Sequence, residues 1–433
     1  MTKVKKVLVL GSGGREHVFI WKLSADLSPD QLFVAPGNAG MTHLATQVNL
    51  GVLEFEKIAQ FCLQHHIEII LPGGEDALVA GIVDYFKAIP ELQHIYVFGP
   101  SKEAAQLEGS KTYCKAFMQK YGIPTAAYQS FTSEEIEEAF EFLKTLKPPY
   151  VLKADGLAAG KGVLILPDYE TAAKELELML LHSKFGAAGN RVVIEEFMDG
   201  IEFSVFVMTD NEGYIILPEA KDYKRVGDGD TGLNTGGMGA VSPVPFVDEE
   251  LRKKVIQTII EPTMRGLKEE HLEYRGFIFF GLININGTPK VIEYNVRMGD
   301  PETEVVLPRL NNSLYDVLLA CSHGALDQIK AEVNADYCTT VFCVSGGYPE
   351  SFPKGKIINI TPDNTSLFFH AGTSRNEQGA LITSGGRVIA VSHMHRDLKS
   401  CIEANYQSLK NVSYEGLYHR SDIGNDLLKI LNA

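Results

Sequence analysis

A chain of 433 residues, 45% hydrophobic and 22% charged, has room for about three domains and the balance of a soluble globular protein. Its formal net charge of −15 excludes sequence-independent nucleic-acid binding, which needs a basic face. No stretch has the length and apolarity to span a membrane, and Val7-Leu8-Val9-Leu10 is too short for an export segment, so a cytoplasmic location is expected. Cys62, Cys114, Cys321, Cys338, Cys343 and Cys401 form no C-x-x-C pair, which suits reduced, buried thiols.

Val4 to Leu10 reads as a buried strand, and Gly11-Ser12-Gly13-Gly14-Arg15-Glu16-His17 as a glycine loop opening a helix. Strands expected at Gln31–Val34, Ile67–Leu71 and Ile95–Phe98 alternate with helical patterns, which predicts a small parallel α/β domain. A dinucleotide fingerprint fails here. Glu16 takes the third glycine position, and Ala35-Pro36-Gly37-Asn38 stands where an acidic residue should end the second strand. The strand ends at Gly13-Gly14-Arg15, Gly37-Asn38 and Gly73-Gly74-Glu75 suit a phosphorylated small molecule, with Arg15 as anion partner and Glu75 as hydroxyl acceptor. Ordinary turn chemistry explains the same residues equally well.

Gly99-Pro100-Ser101 marks a boundary, Ser101 caps a helix, and Ser110-Lys111 opens another that ends before Gly122-Ile123-Pro124. Thr132 to Leu146 is an amphipathic helix whose glutamates form a solvated face without chemistry. Val151 to Val163 then gives a strand, a mobile small-residue loop with Gly156, Gly160, Lys161 and Gly162, and a second strand. Lys153 and that loop form a clamp for triphosphate oxygens, although the P-loop pattern is absent. Val192 to Phe197 is an apolar strand whose end, Glu195-Glu196-Phe197, can face an adenine, with Glu202 accepting from ribose hydroxyls. Residues 220–239 read as a long irregular loop carrying Asp222, Lys224 and Arg225, and such loops are usually functional.

Phe277–Ile285 and Lys290–Val296 form a strand pair. Alternation puts Glu293, Asn295 and Arg297 on one face, where a carboxylate and an amide oxygen suit magnesium and the guanidinium suits an anion. Gly299-Asp300-Pro301 turns the chain away. From about residue 328 a further α/β unit follows, in which His393 and His395 share a strand face in a structural role.

Lys153–Val163, Glu195–Ser204, Lys224–Gly232, Asn234–Gly239 and Arg297–Glu302 together resemble the ATP-grasp enzymes. More narrowly, the chain is similar to the phosphoribosylamine–glycine ligase (glycinamide ribonucleotide synthetase) family of de novo purine biosynthesis, from Gly11 to Val388. The resemblance implies an α/β N-terminal substrate domain (1–104), an ATP-grasp domain (105–327) with a small mobile lid at about 124–191, and a C-terminal α/β domain (328–433). It places Lys111, Lys153, Gly156, Gly160, Lys161 and Gly162 at the ATP phosphates, Glu195, Glu196 and Phe197 at the adenine, and Glu202 at the ribose. Glu293 and Asn295 would hold Mg2+ or Mn2+. Arg297, Asp222, Lys224 and Arg225 would handle the reacting carboxyl and phosphoryl groups, and Gly13, Gly14, Arg15, Gly37, Asn38, Glu75 and Asp300 the substrate. The implied reaction joins glycine to phosphoribosylamine through glycyl phosphate, in a monomer with small-molecule partners only. Departures from the family pattern stand at Gly74, Ile201, Lys221, Tyr223 and Leu233. The rival readings are another ATP-grasp ligase, for instance a purine or biotin-linked carboxylase, which the Arg225–Met238 and Gly11–His17 loops disfavour; an oxidoreductase, which would show tight nicotinamide binding and no ADP release; and a non-catalytic nucleotide sensor, disfavoured by Lys153, Glu293 and Asn295.

Overall fold

The computed structural model describes residues 6–156, 162–182, 184 and 190–432. The first five strands are β1 (Lys6–Gly11), β2 (Leu32–Pro36), β3 (Thr46–Gln47), β4 (Ile67–Pro72) and β5 (Tyr96–Val97). They form a parallel sheet in the order β3-β2-β1-β4-β5, as the alternation of strand and helix patterns predicts. All four polar positions Gly13, Gly37, Gly74 and Glu75 lie beyond the carboxyl ends of these strands, where open parallel sheets bind ligands. The strand β6 (Gly99–Pro100) then leaves this domain and pairs with the central sheet described below.

Four strands, β7 (Tyr128–Thr132), β8 (Tyr150–Ala154), β9 (Val163–Leu166) and β10 (Arg191–Glu195), make an antiparallel sheet in the order β7-β10-β8-β9. Two helices, Ile136–Thr145 and Tyr169–Leu180, cover it and enclose a separate core of Phe131, Leu143, Leu152, Leu176, Met179 and Ile194. This four-stranded unit is therefore a body with its own interior. Capping explains its helix starts, since the Asp168 carboxylate accepts from Thr171 N at 2.8 Å and Thr132 pairs reciprocally with Glu135.

The central sheet contains β11 (Ile201–Thr209), β12 (Tyr214–Asp222), β15 (Gly239–Ser242), β16 (Tyr274–Ile285), β17 (Thr288–Asn295) and β18 (Tyr337–Val344). It is completed by β20 (Ser366–His370) and β23 (Arg387–His395) in the order β17-β16-β11-β12-β15-β18-β23-β20. The aromatic and β-branched run of β16 is buried on both faces, which seats it in the middle of two hydrophobic clusters. Strand β15 joins β12 on one side and β18 on the other, so the sheet continues without a break into the C-terminal third. The short strands β19 (Asn359–Ile360) and β24 (Val412–Ser413), and β21 (Thr373–Arg375) and β22 (Leu381–Thr383), make two small ladders at its margin.

Residues 220–239 depart from the expected irregular loop. They form a hairpin of β13 (Arg225–Gly227) and β14 (Thr231–Asn234), turning through Asp228-Gly229-Asp230 with Asp230 at φ 55°. Aspartate and glycine are residues that tolerate this left-handed turn. All six cysteines are free and buried, as their spacing suggests. His393 meets Ser366 Oγ at 3.3 Å and His395 pairs with Asp397 at 3.0 Å. Among the described residues, no helix is long and apolar enough to cross a membrane.

Candidate active site

Lys153 on β8 and Glu195 at the end of β10 stand on neighbouring strands of the four-stranded sheet. Lys153 Nζ lies 2.9 Å from Glu195 Oε2 and 3.3 Å from the Ile292 carbonyl. The other oxygen, Glu195 Oε1, is 3.1 Å from Nζ of Lys115, which also donates to Thr125 Oγ1 at 2.8 Å. Both lysines and the glutamate are buried. Burial alone would neutralise Glu195, but Lys153 and Lys115 hold its carboxyl below the usual range. Lys115 is set on the helix Lys111–Lys120, which starts because the Ser110 hydroxyl accepts from Tyr113 N at 3.1 Å.

Ser110 Oγ also donates to Asp155 at 3.0 Å, and Thr112 N donates to the same oxygen at 3.2 Å. These bonds fasten the first residue of the helix, Lys111, to the start of the glycine loop. Gly156 is at φ 148°, and Gly162 accepts from Ala154 N at 2.8 Å. Gly160 and Lys161 lie outside the described residues. Glu196 accepts from Ala127 N at 3.1 Å and meets Lys290 at 3.4 Å. Phe197 and Ile201 leave apolar surface exposed, 39% each.

Further along, Glu202 on β11 pairs with Lys224 at 2.9 Å. Asp222, Glu202 and Glu293 raise Lys224 well above an ordinary lysine against the effect of burial. Burial and Glu202 in turn push Asp222 up. Carboxylate thus exceeds ammonium around Lys224, and Glu293 stands half-buried among these groups. Among the described residues, no group of three or more His, Cys, Asp or Glu is arranged to hold a metal ion. Glu293 and Asn295 offer one carboxylate and one amide oxygen, which could supply only part of the oxygen shell of a divalent cation. Asn295 Oδ1 already accepts from Arg297 Nη1 at 3.0 Å.

Arg297 is the hub of the third zone. Its Nε meets Glu75 at 2.9 Å and its Nη2 meets Glu108 at 3.0 Å, while the second oxygen of Glu108 accepts from Val296 N at 2.7 Å. Burial raises Glu75, but Arg297 and Arg15 bring it down to about 2. Burial pushes Glu108 up to about 7 even beside Arg297. Arg15 donates to Glu16 at 2.7 Å and to the Met298 carbonyl at 3.0 Å. Glu16 explains why a dinucleotide loop is impossible: its carboxyl accepts from Gly13 N at 2.6 Å and fills the hollow at Gly73, where a Cβ would lie 2.0 Å from Oε1. Asn38 is buried and donates to the Ser12 and His370 carbonyls at 2.9 and 2.7 Å, so it shapes the loop at Gly37.

Asp300 is held from the C-terminal third, where Arg387 Nη2 lies 2.9 Å from Oδ1 and Nη1 donates to the Asp300 carbonyl at 2.8 Å. Arg387 also reaches the Gly236 carbonyl at 2.5 Å, and its guanidinium lies 4.7 Å from the centre of the Phe342 ring. The structure therefore gathers Glu75, Arg15, Asn295, Arg297 and Asp300 into one connected zone, and Lys153 with Glu195 into another. Sequence reasoning passed over Lys115, Glu108 and Arg387. The i, i+4 spacing of Lys111 and Lys115 was the available signal for the first; the partners of Glu108 and Arg387 are far off in the chain.

The phosphoribosylglycinamide synthetase models for the N domain, the ATP-grasp (A) domain and the C domain match residues 5–108, 109–303 and 338–426. The phosphoribosylamine–glycine ligase of Vibrio parahaemolyticus is 42% identical over 97% of this chain and 97% of its own length. A bifunctional purine biosynthetic protein of Pichia angusta is also 42% identical over 98% of the chain, which spans only 54% of that longer protein. The crystal structure of the Thermotoga maritima phosphoribosylamine–glycine ligase superposes with a TM-score of 0.84 at 35% identity, covering 96% of this chain and 99% of that one. The biotin carboxylase domain of the Hydrogenobacter thermophilus 2-oxoglutarate carboxylase has the same fold, with a TM-score of 0.74 at 18% identity over 99% and 94% of the two chains. The three consecutive domain matches and the full-length relatives make the assignment: the chain belongs to the phosphoribosylglycinamide synthetase family, ATP-grasp carbon–nitrogen ligases of purine biosynthesis.

Proposed function

We propose that the two connected zones divide the reaction, with ATP phosphates drawn to Lys111 and Lys153 and phosphoribosylamine taken at the Arg15–Glu75–Asp300 end. The observation that carries this division is the charge around Glu195, whose single carboxylate Lys153 and Lys115 share. That surplus of positive charge suits a polyanion. Apolar surface at Phe197 and Ile201 suits the adenine, and Glu202 the ribose hydroxyls.

Glu293 and Asn295 would hold Mg2+ or Mn2+, which when bound neutralises phosphate charge during phosphoryl transfer. Lys224 and Arg225 would orient the glycine carboxylate in line with the γ-phosphorus. Attack by a carboxylate oxygen forms the P–O bond of glycyl phosphate and releases ADP. The amine of phosphoribosylamine then adds to the activated carbonyl, loses its proton, and expels inorganic phosphate. Without activation the amine would have to displace oxide, a far poorer leaving group than phosphate.

The test follows an oxygen atom. Glycine carrying heavy oxygen in its carboxylate should deliver one labelled atom per turnover into inorganic phosphate. Unlabelled phosphate alongside normal amide product would overturn the acyl-phosphate route.

A further inference from the structure

The hairpin β13–β14 has almost no core of its own. Leu233 is 50% exposed, the turn residues 228–230 are exposed, and two-stranded hairpins are marginal in water. Yet this hairpin begins at Arg225, next to Lys224. Its shape is set from outside, by residues 418–422 near the far end of the chain.

Arg420 carries two of the bonds to it and braces Asp422, which takes a third. Its side chain is 1% exposed. Nε and Nη2 donate to the two oxygens of Asp422, both at 2.7 Å, and Nη1 donates to Asp230 Oδ1 at 2.7 Å and to the Arg225 carbonyl at 3.1 Å. Around it, Gly229 N donates to Asp422 at 2.8 Å, Ser421 N donates to Asp228 at 2.9 Å, and the Tyr418 hydroxyl donates to the Val226 carbonyl at 3.0 Å. Arg225 itself donates to the Gly232 carbonyl at 2.7 Å and so closes the hairpin from within. The strand leading into it is pinned by the same stretch of chain. Tyr223 donates to Asp426 at 2.5 Å, and Lys221 meets the other oxygen at 3.1 Å.

We propose that Arg420 is a positioning residue for the ligation: by bridging Asp422, Asp230 and the Arg225 carbonyl, it holds hairpin β13–β14 in the shape that presents Lys224 and Arg225 to the reacting groups. This rests on the reading above in which those two residues act on glycine and phosphate. Lysine cannot replace it. A single ammonium offers no planar fork to span a carboxylate pair and a carbonyl at once. Arg420 acts at a distance from Lys153 and Glu195, because these belong to strands β8 and β10, which pair within the four-stranded sheet and not with the hairpin.

The experiment uses the full chain with Arg420→Met, Arg420→Lys, Asp230→Asn and Arg225→Ala. Steady-state constants are measured for each substrate, together with ADP affinity and the thermal midpoint. Arg420→Met and Arg420→Lys are expected to lower kcat by about 100-fold, the scale of a displacement of about 1 Å in a positioned group, and to change ADP affinity far less, through the Lys224–Glu202 pair alone. Asp230→Asn should lower kcat less and add nothing to Arg420→Met, since both remove one bridge. Unchanged kcat in Arg420→Met, with Arg225→Ala strongly impaired, would overturn the positioning role alone. Loss of kcat and ADP affinity in step with a lower thermal midpoint would reduce Arg420 to a structural anchor. Full turnover by Arg225→Ala would remove the hairpin from the reaction and take the reading beneath the proposal with it.

Discussion

Charge is balanced in opposite ways at the two ends of the site. Around Glu195 two buried lysines, 115 and 153, share one carboxylate. By contrast one guanidinium, Arg297, is divided between two carboxylates, Glu75 and Glu108, and the amide oxygen of Asn295. The first arrangement leaves a surplus of positive charge. The second spends its cation on internal bonds that tie the N-terminal loops to the end of strand β17. Cations alone thus do not mark where a ligand sits; the carboxylates around them decide it.

The largest expected effect lies between the two ends. Glu293→Gln should cut turnover by about 100- to 1000-fold, the range for removing one charge-stabilising group, with an unchanged thermal midpoint. Full activity at saturating magnesium would take Glu293 out of the metal site.

A paired substitution sharpens the comparison itself. Lys153→Met should raise the KM for ATP and leave that for phosphoribosylamine nearly constant, and Arg15→Ala should do the reverse. Each loss is set at about 1.5–3 kcal/mol, or roughly ten- to hundredfold, for a charge-assisted contact. If Arg15→Ala weakened ATP to the same degree, the division into two ends would fail.

The smallest effect is a slope in stability against pH. Burial lifts Glu108 to about 7 from an unfolded value of 4.5, so the native state holds that proton more tightly. Its contribution is greatest below about 4.5 and is lost as pH rises towards 7. Glu75, held down to about 2 by Arg297 and Arg15, contributes above 4.5 and loses that contribution as pH falls to 2. In Glu108→Gln the thermal midpoint should therefore decline less steeply between pH 5 and 7 than in the unaltered chain. Parallel profiles would show that Glu108 ionises normally.

Local periodicity made part of this legible in the sequence. Alternation alone set Asn295 and Arg297 side by side, and they share a hydrogen bond of 3.0 Å. The parallel N-terminal sheet, the caps at Ser110 and Thr132, and Lys153 emerging from a strand followed from similarly short-range rules. The hairpin at 225–234 was hidden because its glycines resemble a linker, although Asp228-Gly229 between Val226 and Leu233 is a recognised turn signal. Glu108, Arg387 and Arg420 were beyond reach for another reason. Their partners stand 188, 87 and 190 residues away in the chain, at Val296, Asp300 and Asp230, and no periodicity encodes such a pairing.

The unbroken central sheet also sets a schedule for synthesis. Strand β15 is complete at Ser242, but its outer neighbour β18 begins only at Tyr337. At roughly 5–20 residues per second, a ribosome needs roughly 5–20 s to make the intervening chain. During that interval the edge of β15 is unpaired, the condition in which strands join the wrong partner. Its length of four residues keeps that exposed edge short while the chain is being made.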